Sequence, residues 1–195
     1  MKKLLLSLLT IFIISIMLMN VVSAVIANLQ YWYSDFNGIA HYEDDPKFTV
    51  RPCTGSPSSF EDDVLAAYND WHWAGIPVYY QFNSGDIIVY GGPYDIIKQI
   101  YPSFSPNSTG QTEITMFSMN DYYTTPSGNK DGYIMDSAKV YYNTDIANKK
   151  TYLHEAGHSL GWLGHSSNSN DIMYPISSSV KKLTSRDKNH LTQVY

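Results

Sequence analysis

Cysteine is almost absent from this chain of 195 residues, and basic charge is not in excess. Because Cys53 is the only cysteine, the fold cannot depend on an internal disulfide bond. Lysine and arginine number 13 against 18 acidic residues, which gives a formal net charge of −5. Nucleic acids and anionic membranes select proteins with a basic face, so we expect neither as a partner.

Long apolar runs are missing from the chain except at its N-terminus. Two lysines precede an apolar run over residues 4–19, and Val-Ser-Ala at residues 22–24 offers the small side chains at which signal peptidase cuts. We expect residues 1–24 to be a cleaved signal peptide of a secreted protein, whose removal changes the formal charge from −5 to −7. The alternative is an uncleaved anchor, since residues 4–27 nearly suffice to span a bilayer.

The spacing of apolar residues predicts two long helices. The first is expected over residues 59–71, and the second over residues 145–160 with a capping residue among residues 143–145. Gly161 is expected to end the second helix, because glycine tolerates the left-handed conformation found after a helix. A last helix is expected over residues 184–193.

Strands are expected where apolar residues alternate or where turn residues flank a short apolar run: 47–53, 78–82, 86–90, 111–119 and 132–142. Residues 25–45 are expected to form a turn-prone segment lying on the domain, and residues 93–107 a loop with a short helical turn. The order of elements predicts an α+β fold, an α/β sandwich in which two long helices cover a mixed, twisted sheet.

The most informative motif is HEAGH at residues 154–158. His154 and His158 are four positions apart, so they lie on one face of a helix and can hold one zinc ion. Glu155 can take a proton from a metal-bound water. His165 would supply a third protein ligand and leave the fourth position open, as a catalytic zinc site requires. This pattern predicts a zinc-dependent peptidase.

Two alternatives apply to this motif. The histidines and the glutamate could form the solvated polar face of an ordinary helix, although the apolar residues around them favour an amphipathic helix with a defined stripe of histidines. His165 could be a polar loop residue only, in which case Asp171 is the nearest acidic substitute as a third ligand.

The sequence HEAGHSLGWLGHSS, followed by DIMYP, resembles the metzincin metallopeptidases and, among them, the matrixins, the matrix-metalloproteinase-like group. The resemblance implies a zinc metallopeptidase catalytic domain over residues 25–195, with a C-terminal helix after a Met-turn. It implies one catalytic zinc ion, Glu155 as the general base and three ligands, His154, His158 and His165.

The resemblance also implies roles for residues after the histidines. Met173 would form the Met-turn below the metal, and Tyr174 and Pro175 would begin the wall of the substrate pocket S1′. A substrate would lie along an edge strand, for which residues 111–117 are the candidate. An interior strand is an equally valid interpretation of those residues.

The chain departs from the family pattern in its third histidine. His165 follows Gly161 by four residues, whereas the family normally has three, so the loop between them contains one extra residue. Loops absorb insertions more readily than helices do. The spacing from His165 to Met173 is the usual eight.

Further metal sites are not expected. The other histidines, His41, His72 and His190, are too scattered in the sequence to form a second zinc site. Calcium binding by residues 127–136 is a minor alternative, because Asp- and Gly-bearing segments are more often ordinary turns. Cys53 is interpreted as a small hydrophobic residue at the end of a strand, the alternative being a thiolate that blocks the zinc in a latent form.

The sequence therefore predicts a secreted, monomeric zinc endopeptidase that acts on extracellular proteins or peptides. One alternative is a catalytically silent peptide-binding domain, against which the presence of Glu155 argues. The other alternative is a zinc hydrolase of cell-wall peptide amides, which the motif does not exclude.

Overall fold

The computed structural model describes residues 25–176 and 179–195, and the predicted signal peptide lies outside these ranges. This part of the chain contains seven strands: β1 (Val25–Asn28), β2 (Gly38–His41), β3 (Lys47–Pro52), β4 (Tyr79–Tyr80), β5 (Ile87–Gly92), β6 (Gly110–Thr125) and β7 (Gly128–Asn143). It also contains four helices: α1 (Phe60–His72), α2 (Tyr94–Ile100), α3 (Lys149–Ser159) and α4 (Ser185–Leu191). None of these helices is long and apolar enough to cross a membrane.

The strands form one mixed sheet in the order β1-β6-β7-β5-β3-β4, and β2 pairs with β7. The only antiparallel pairing among the described strands joins β6 and β7, which form a hairpin with 16 residues in each strand. The other pairings are parallel. The α+β class predicted from the sequence, with two long helices and a mixed sheet, is confirmed.

The two long helices pack directly on each other through side-chain contacts. Trp71 of α1 donates a hydrogen bond from Nε1 to the Leu153 carbonyl of α3, at 2.9 Å. The Tyr68 hydroxyl lies 2.8 Å from the Ser159 hydroxyl. Both aromatic side chains are almost completely buried, so these contacts fix the position of α3 on the sheet.

The start of α3 differs from its prediction. The helix begins at Lys149 rather than near residue 145, because residues 144–147 form a turn on the Asn143 carbonyl. Asn148 is the N-cap, and its side chain accepts hydrogen bonds from the Lys150 and Thr151 amides. Asparagine at this position satisfies amides that have no partner within the helix.

The end of α3 and the last helix agree with the sequence analysis. Gly161 follows α3 with a φ of 102°, in the left-handed region that was expected there. The helix α4 lies within the predicted range and is capped by Thr184.

Other segments differ more from their predictions. Residues 25–45 contribute strands β1 and β2 to the sheet, and four-residue strands are too short to give a detectable alternation of apolar residues. Residues 93–107 contain the helix α2, which buries Ile97. The predicted strand over residues 78–82 is reduced to two residues, whereas β6 and β7 are longer than predicted.

Replacing Asn148 by alanine should destabilise the protein by about 1 kcal/mol, because two helix amides lose their acceptor. The Asn148→Asp variant keeps an oxygen acceptor at the N-cap and should retain most of the wild-type stability. Urea denaturation of the three proteins measures both effects. Equal stability of the alanine variant and the wild type would contradict the assigned cap.

Candidate metal centre

A cleft of about 520 Å³ lies between the first half of β6 and the helix α3. It is lined by β6 residues between positions 110 and 114, by loop residues 162–165, and by Pro175. The polar residues of the sequence motif also line it: His154, Glu155, His158 and His165.

The three histidines converge in this cleft. Nε2 of His154 lies 3.0 Å from Nε2 of His158. With His165, each ring offers one nitrogen, and the three nitrogens lie within 4.8 Å of one another. Within residues 25–176 and 179–195, no other group of three His, Cys, Asp or Glu side chains converges in this way.

The hydrogen bonds of two rings determine which nitrogen faces the cleft. Nδ1 of His154 lies 2.8 Å from the Ile172 carbonyl, and Nδ1 of His158 lies 2.7 Å from the Trp162 carbonyl. A carbonyl only accepts hydrogen bonds, so Nδ1 is the donor in both rings and Nε2 of each neutral ring holds a lone pair. The two lone pairs point into the same space.

The electrostatics of the rings favour their neutral form. Burial, together with the neighbouring His158, lowers the pKa of His154 well below its ordinary value of 6.5. Burial also lowers the pKa of His158, and burial followed by His158 lowers that of His165. Neutral imidazoles with converging lone pairs repel one another but suit a cation, and three nitrogen donors match the preference of zinc. The residues present therefore fit a zinc ion.

Glu155 is buried beside the histidines. Its Oε2 accepts a hydrogen bond of 2.7 Å from the Thr112 hydroxyl of β6. Burial raises the pKa of the Glu155 carboxyl to about 7, even though the Thr112 bond acts in the opposite direction. A carboxyl group with this pKa can both accept and release a proton near neutral pH. No sequence pattern singled out Thr112, which is distant from the motif.

Met173 lies under α3, where its sulfur approaches Gly157. A Cβ added to Gly157 would lie 2.5 Å from the Met173 sulfur, so a larger residue between His154 and His158 would force Met173 to move. The Ile172 and Met173 amides donate hydrogen bonds to the Asp187 carboxylate, at 3.0 and 3.2 Å. Asp187 belongs to α4, and its supporting role was not predicted.

Asp171, the alternative third ligand, is bound elsewhere. It is fully buried and accepts hydrogen bonds from Nε and Nη2 of Arg186, at 3.0 and 2.8 Å. The Ser166 and Thr184 hydroxyls also donate to it. Asp171 therefore links the segment before Met173 to α4, and it does not belong to the group of converging side chains.

A stack of three buried rings supports the loop after α3. The ring of His190 lies between Trp162 and Trp32, with centroid distances of 3.6 and 3.7 Å. Nδ1 of His190 accepts a hydrogen bond from the Tyr33 amide, at 3.1 Å. Because the Trp162 carbonyl is the acceptor for His158, this stack helps to set the orientation of the His158 ring.

Lys150 holds the segment after Met173. Its ammonium group donates hydrogen bonds to the Tyr174 carbonyl, at 2.7 Å, and to the Ile176 carbonyl. Lys150 lines the cleft together with Pro175, whereas Tyr174 is not among the lining residues. This contact joins the first turn of α3 to the predicted wall of the pocket.

Two other candidate sites lie outside this cleft. Cys53 is half-buried and packs beside Ile97 and Phe104, and it is not a lining residue of the cleft. The candidate calcium segment, residues 127–136, is mostly strand β7 rather than a loop.

A cleft with three imidazoles and a carboxylate beside a sheet edge defines a candidate metallopeptidase. The family model for matrixins, the peptidase M10 family, matches residues 20–195, and the chain belongs to this family. Matrixins are zinc-dependent metalloendopeptidases, and they are mostly extracellular. Comparison with curated proteins gives no match. The predicted resemblance to matrixins is confirmed.

The stacked His190 should make the stability of the protein depend on pH. Burial lowers its pKa well below 6.5, so the unfolded chain binds more protons below pH 6.5 and stability falls as the pH falls. From pH 6.5 to pH 5.5, the wild type should lose about 1 kcal/mol more of its unfolding free energy than a His190→Gln variant does.

Urea denaturation at both pH values measures this difference. The variant keeps the other histidines, so subtracting its pH dependence isolates the contribution of His190. Identical pH dependence in the two proteins would contradict a buried, neutral His190.

Proposed function

We propose that the protein is a secreted zinc endopeptidase that hydrolyses peptide bonds in extracellular proteins. The convergence of three unprotonated ring nitrogens next to a buried carboxylate supports this proposal most strongly. His154, His158 and His165 would hold the zinc ion. Zinc held there would act as a Lewis acid that activates a water molecule and polarises the scissile carbonyl.

Glu155 is the proposed general base. Its carboxylate accepts a proton from the attacking water and later delivers that proton to the leaving amine. The Thr112 hydroxyl binds Oε2, which fixes the orientation of the carboxylate and leaves Oε1 available for the proton. A silent binding domain would have no need for a buried carboxylate in this position.

The first half of β6 is the proposed substrate-binding edge. Among the described strands, β7 alone pairs with residues 110–118, because β1 joins β6 only at Tyr122 and Thr124. The backbone groups on the other side of β6 can therefore pair with an extended peptide. A Cβ at Gly110 would lie 2.7 Å from Cγ of Glu155, so this edge runs directly beside the proposed base.

Lys150 is proposed to position the wall of the pocket that receives the side chain after the scissile bond. Its two hydrogen bonds fix the carbonyls on either side of Pro175. Burial lowers the pKa of Lys150 from its usual value, whereas its two carbonyl acceptors favour the charged, donating ammonium group. Tyr174 and Pro175 remain the proposed substrate-contacting residues.

Replacing Glu155 by glutamine should lower the rate of casein cleavage by roughly 10²–10⁴-fold, because glutamine cannot accept the proton. The variant should still bind about one zinc ion per protein, since the three imidazoles are unchanged. Metal analysis and a proteolysis assay of the same sample measure both properties.

A wild-type protein that binds zinc but cleaves no protein would contradict the endopeptidase proposal. Cleavage of cell-wall peptides by that same sample would then support the alternative hydrolase. Cleavage of casein by the Glu155→Gln variant at the wild-type rate would exclude Glu155 as the base.

Replacing Lys150 by methionine should lower kcat/KM for peptide substrates by about tenfold, because two carbonyls of the pocket wall lose a charged donor. It should also change which residue is preferred after the scissile bond. Lys149→Met is the matched control, since Lys149 is exposed and forms only a surface ion pair with Asp70, at 3.4 Å.

Cleavage of a peptide library by the three proteins measures rate and preference together. An unchanged preference in the Lys150→Met protein would contradict its assignment to the pocket wall.

A further inference from the structure

The loop before His165, which contains the extra residue, contacts the N-terminal part of the domain. Residues 32–35, here called the N-terminal strap, run along this loop although they are about 130 positions away in the sequence. The strap comes just before β2. None of its residues belongs to the zinc motif.

Asp35 binds the backbone of His165 on both sides. Its Oδ1 accepts a hydrogen bond of 2.7 Å from the His165 amide. Its own amide donates to the His165 carbonyl, at 3.2 Å. These two bonds fix the backbone from which the third ring projects into the cleft.

Ser34 contacts Leu163 and Ser166, which lie on either side of His165 in the sequence. Its hydroxyl donates a hydrogen bond to the Leu163 carbonyl, and its backbone forms an isolated antiparallel bridge with Ser166. Gly164 lies so close to the strap that a Cβ there would collide with the Asp35 and Ser34 side chains. The strap therefore contacts the whole segment that contains the extra residue.

The strap is itself anchored in the protein interior. Trp32 is buried and packs against His190, and the Tyr33 amide donates to Nδ1 of the same ring. These contacts make the strap a firm support, because its position is set by α4 rather than by the loop that it holds.

We propose that Asp35 is a positioning residue for His165. A loop with one additional residue has more backbone conformations, and each conformation would direct the ring of His165 differently. The two Asp35 bonds select the conformation in which this ring meets His154 and His158. The inference rests on the proposed function, in which His165 is the third zinc ligand.

Zinc affinity is the direct measure of this role. The Asp35→Ala variant should bind zinc about tenfold more weakly than the wild type in competition with a chromophoric chelator, as is typical when the support of a ligand is lost. The Asp35→Asn variant keeps an oxygen acceptor without the charge, and it should remain within about threefold of the wild type. Asp44→Ala removes an exposed acid from the segment between β2 and β3, which does not line the cleft, and should leave the affinity unchanged.

Two further measurements separate positioning from general destabilisation. Thermal unfolding of the metal-free proteins reports any loss of stability, and the visible spectrum of the cobalt-substituted proteins reports the geometry of the ligands. We expect a changed cobalt spectrum in Asp35→Ala and a spectrum like that of the wild type in Asp35→Asn. If Asp35→Ala does not fold, Ser34→Ala replaces it and should weaken zinc binding through the same loop.

The outcomes distinguish this inference from the proposed function. A wild-type protein that binds no zinc would overturn the proposed function. A wild type that binds zinc tightly, together with an Asp35→Ala variant of equal affinity, would overturn only the role of Asp35. Equal weakening in the alanine and asparagine variants would overturn the hydrogen-bonding role in favour of charge.

Discussion

The rest of this structure depends on keeping three neutral imidazoles together in a partly buried cleft. The Nε2 lone pairs of His154 and His158 point at each other across 3.0 Å. Because these lone pairs repel each other, each ring needs a hydrogen bond at its Nδ1 atom to keep this orientation. The Ile172 and Trp162 carbonyls hold them, because each accepts the Nδ1 proton of one ring. The orientation of the two Nε2 atoms is thus determined by two backbone carbonyls outside α3.

Both carbonyls are in turn fixed by the C-terminal helix. The Asp187 carboxylate binds the Ile172 amide, and the ring of His190 packs against Trp162. Asp187 is also the reciprocal partner of Thr184 in the capping box that starts α4. One short helix therefore organises the segment at Met173, the loop after α3 and, through Trp32, the N-terminal part of the domain. This arrangement gives a physical reason for the contacts between distant parts of the chain around the cleft.

The sequence predicted the parts of this arrangement that depend on local interactions. Helical spacing was enough to predict the two long helices and to place His154 and His158 on one face, and glycine chemistry was enough to predict the end of α3. The strands β1 and β2 were missed because they are only four residues long and depend on the β6–β7 hairpin for their partners. Thr112 was missed because the pairing of its hydroxyl with Glu155 spans 43 positions, and such contacts leave no periodic signal.

The cleft also lowers the stability of the domain, because it contains buried ionisable groups. Burial leaves the charged forms of Glu155 and His154 poorly solvated there, which raises the pKa of the Glu155 carboxyl to about 7 and lowers that of His154. Such groups disfavour folding unless other contacts offset them. The packing of Trp71 and Tyr68 of α1 against α3 provides such contacts, because it buries large apolar surfaces directly behind the motif. Since α3 is held from that side, its polar face can remain open to the cleft.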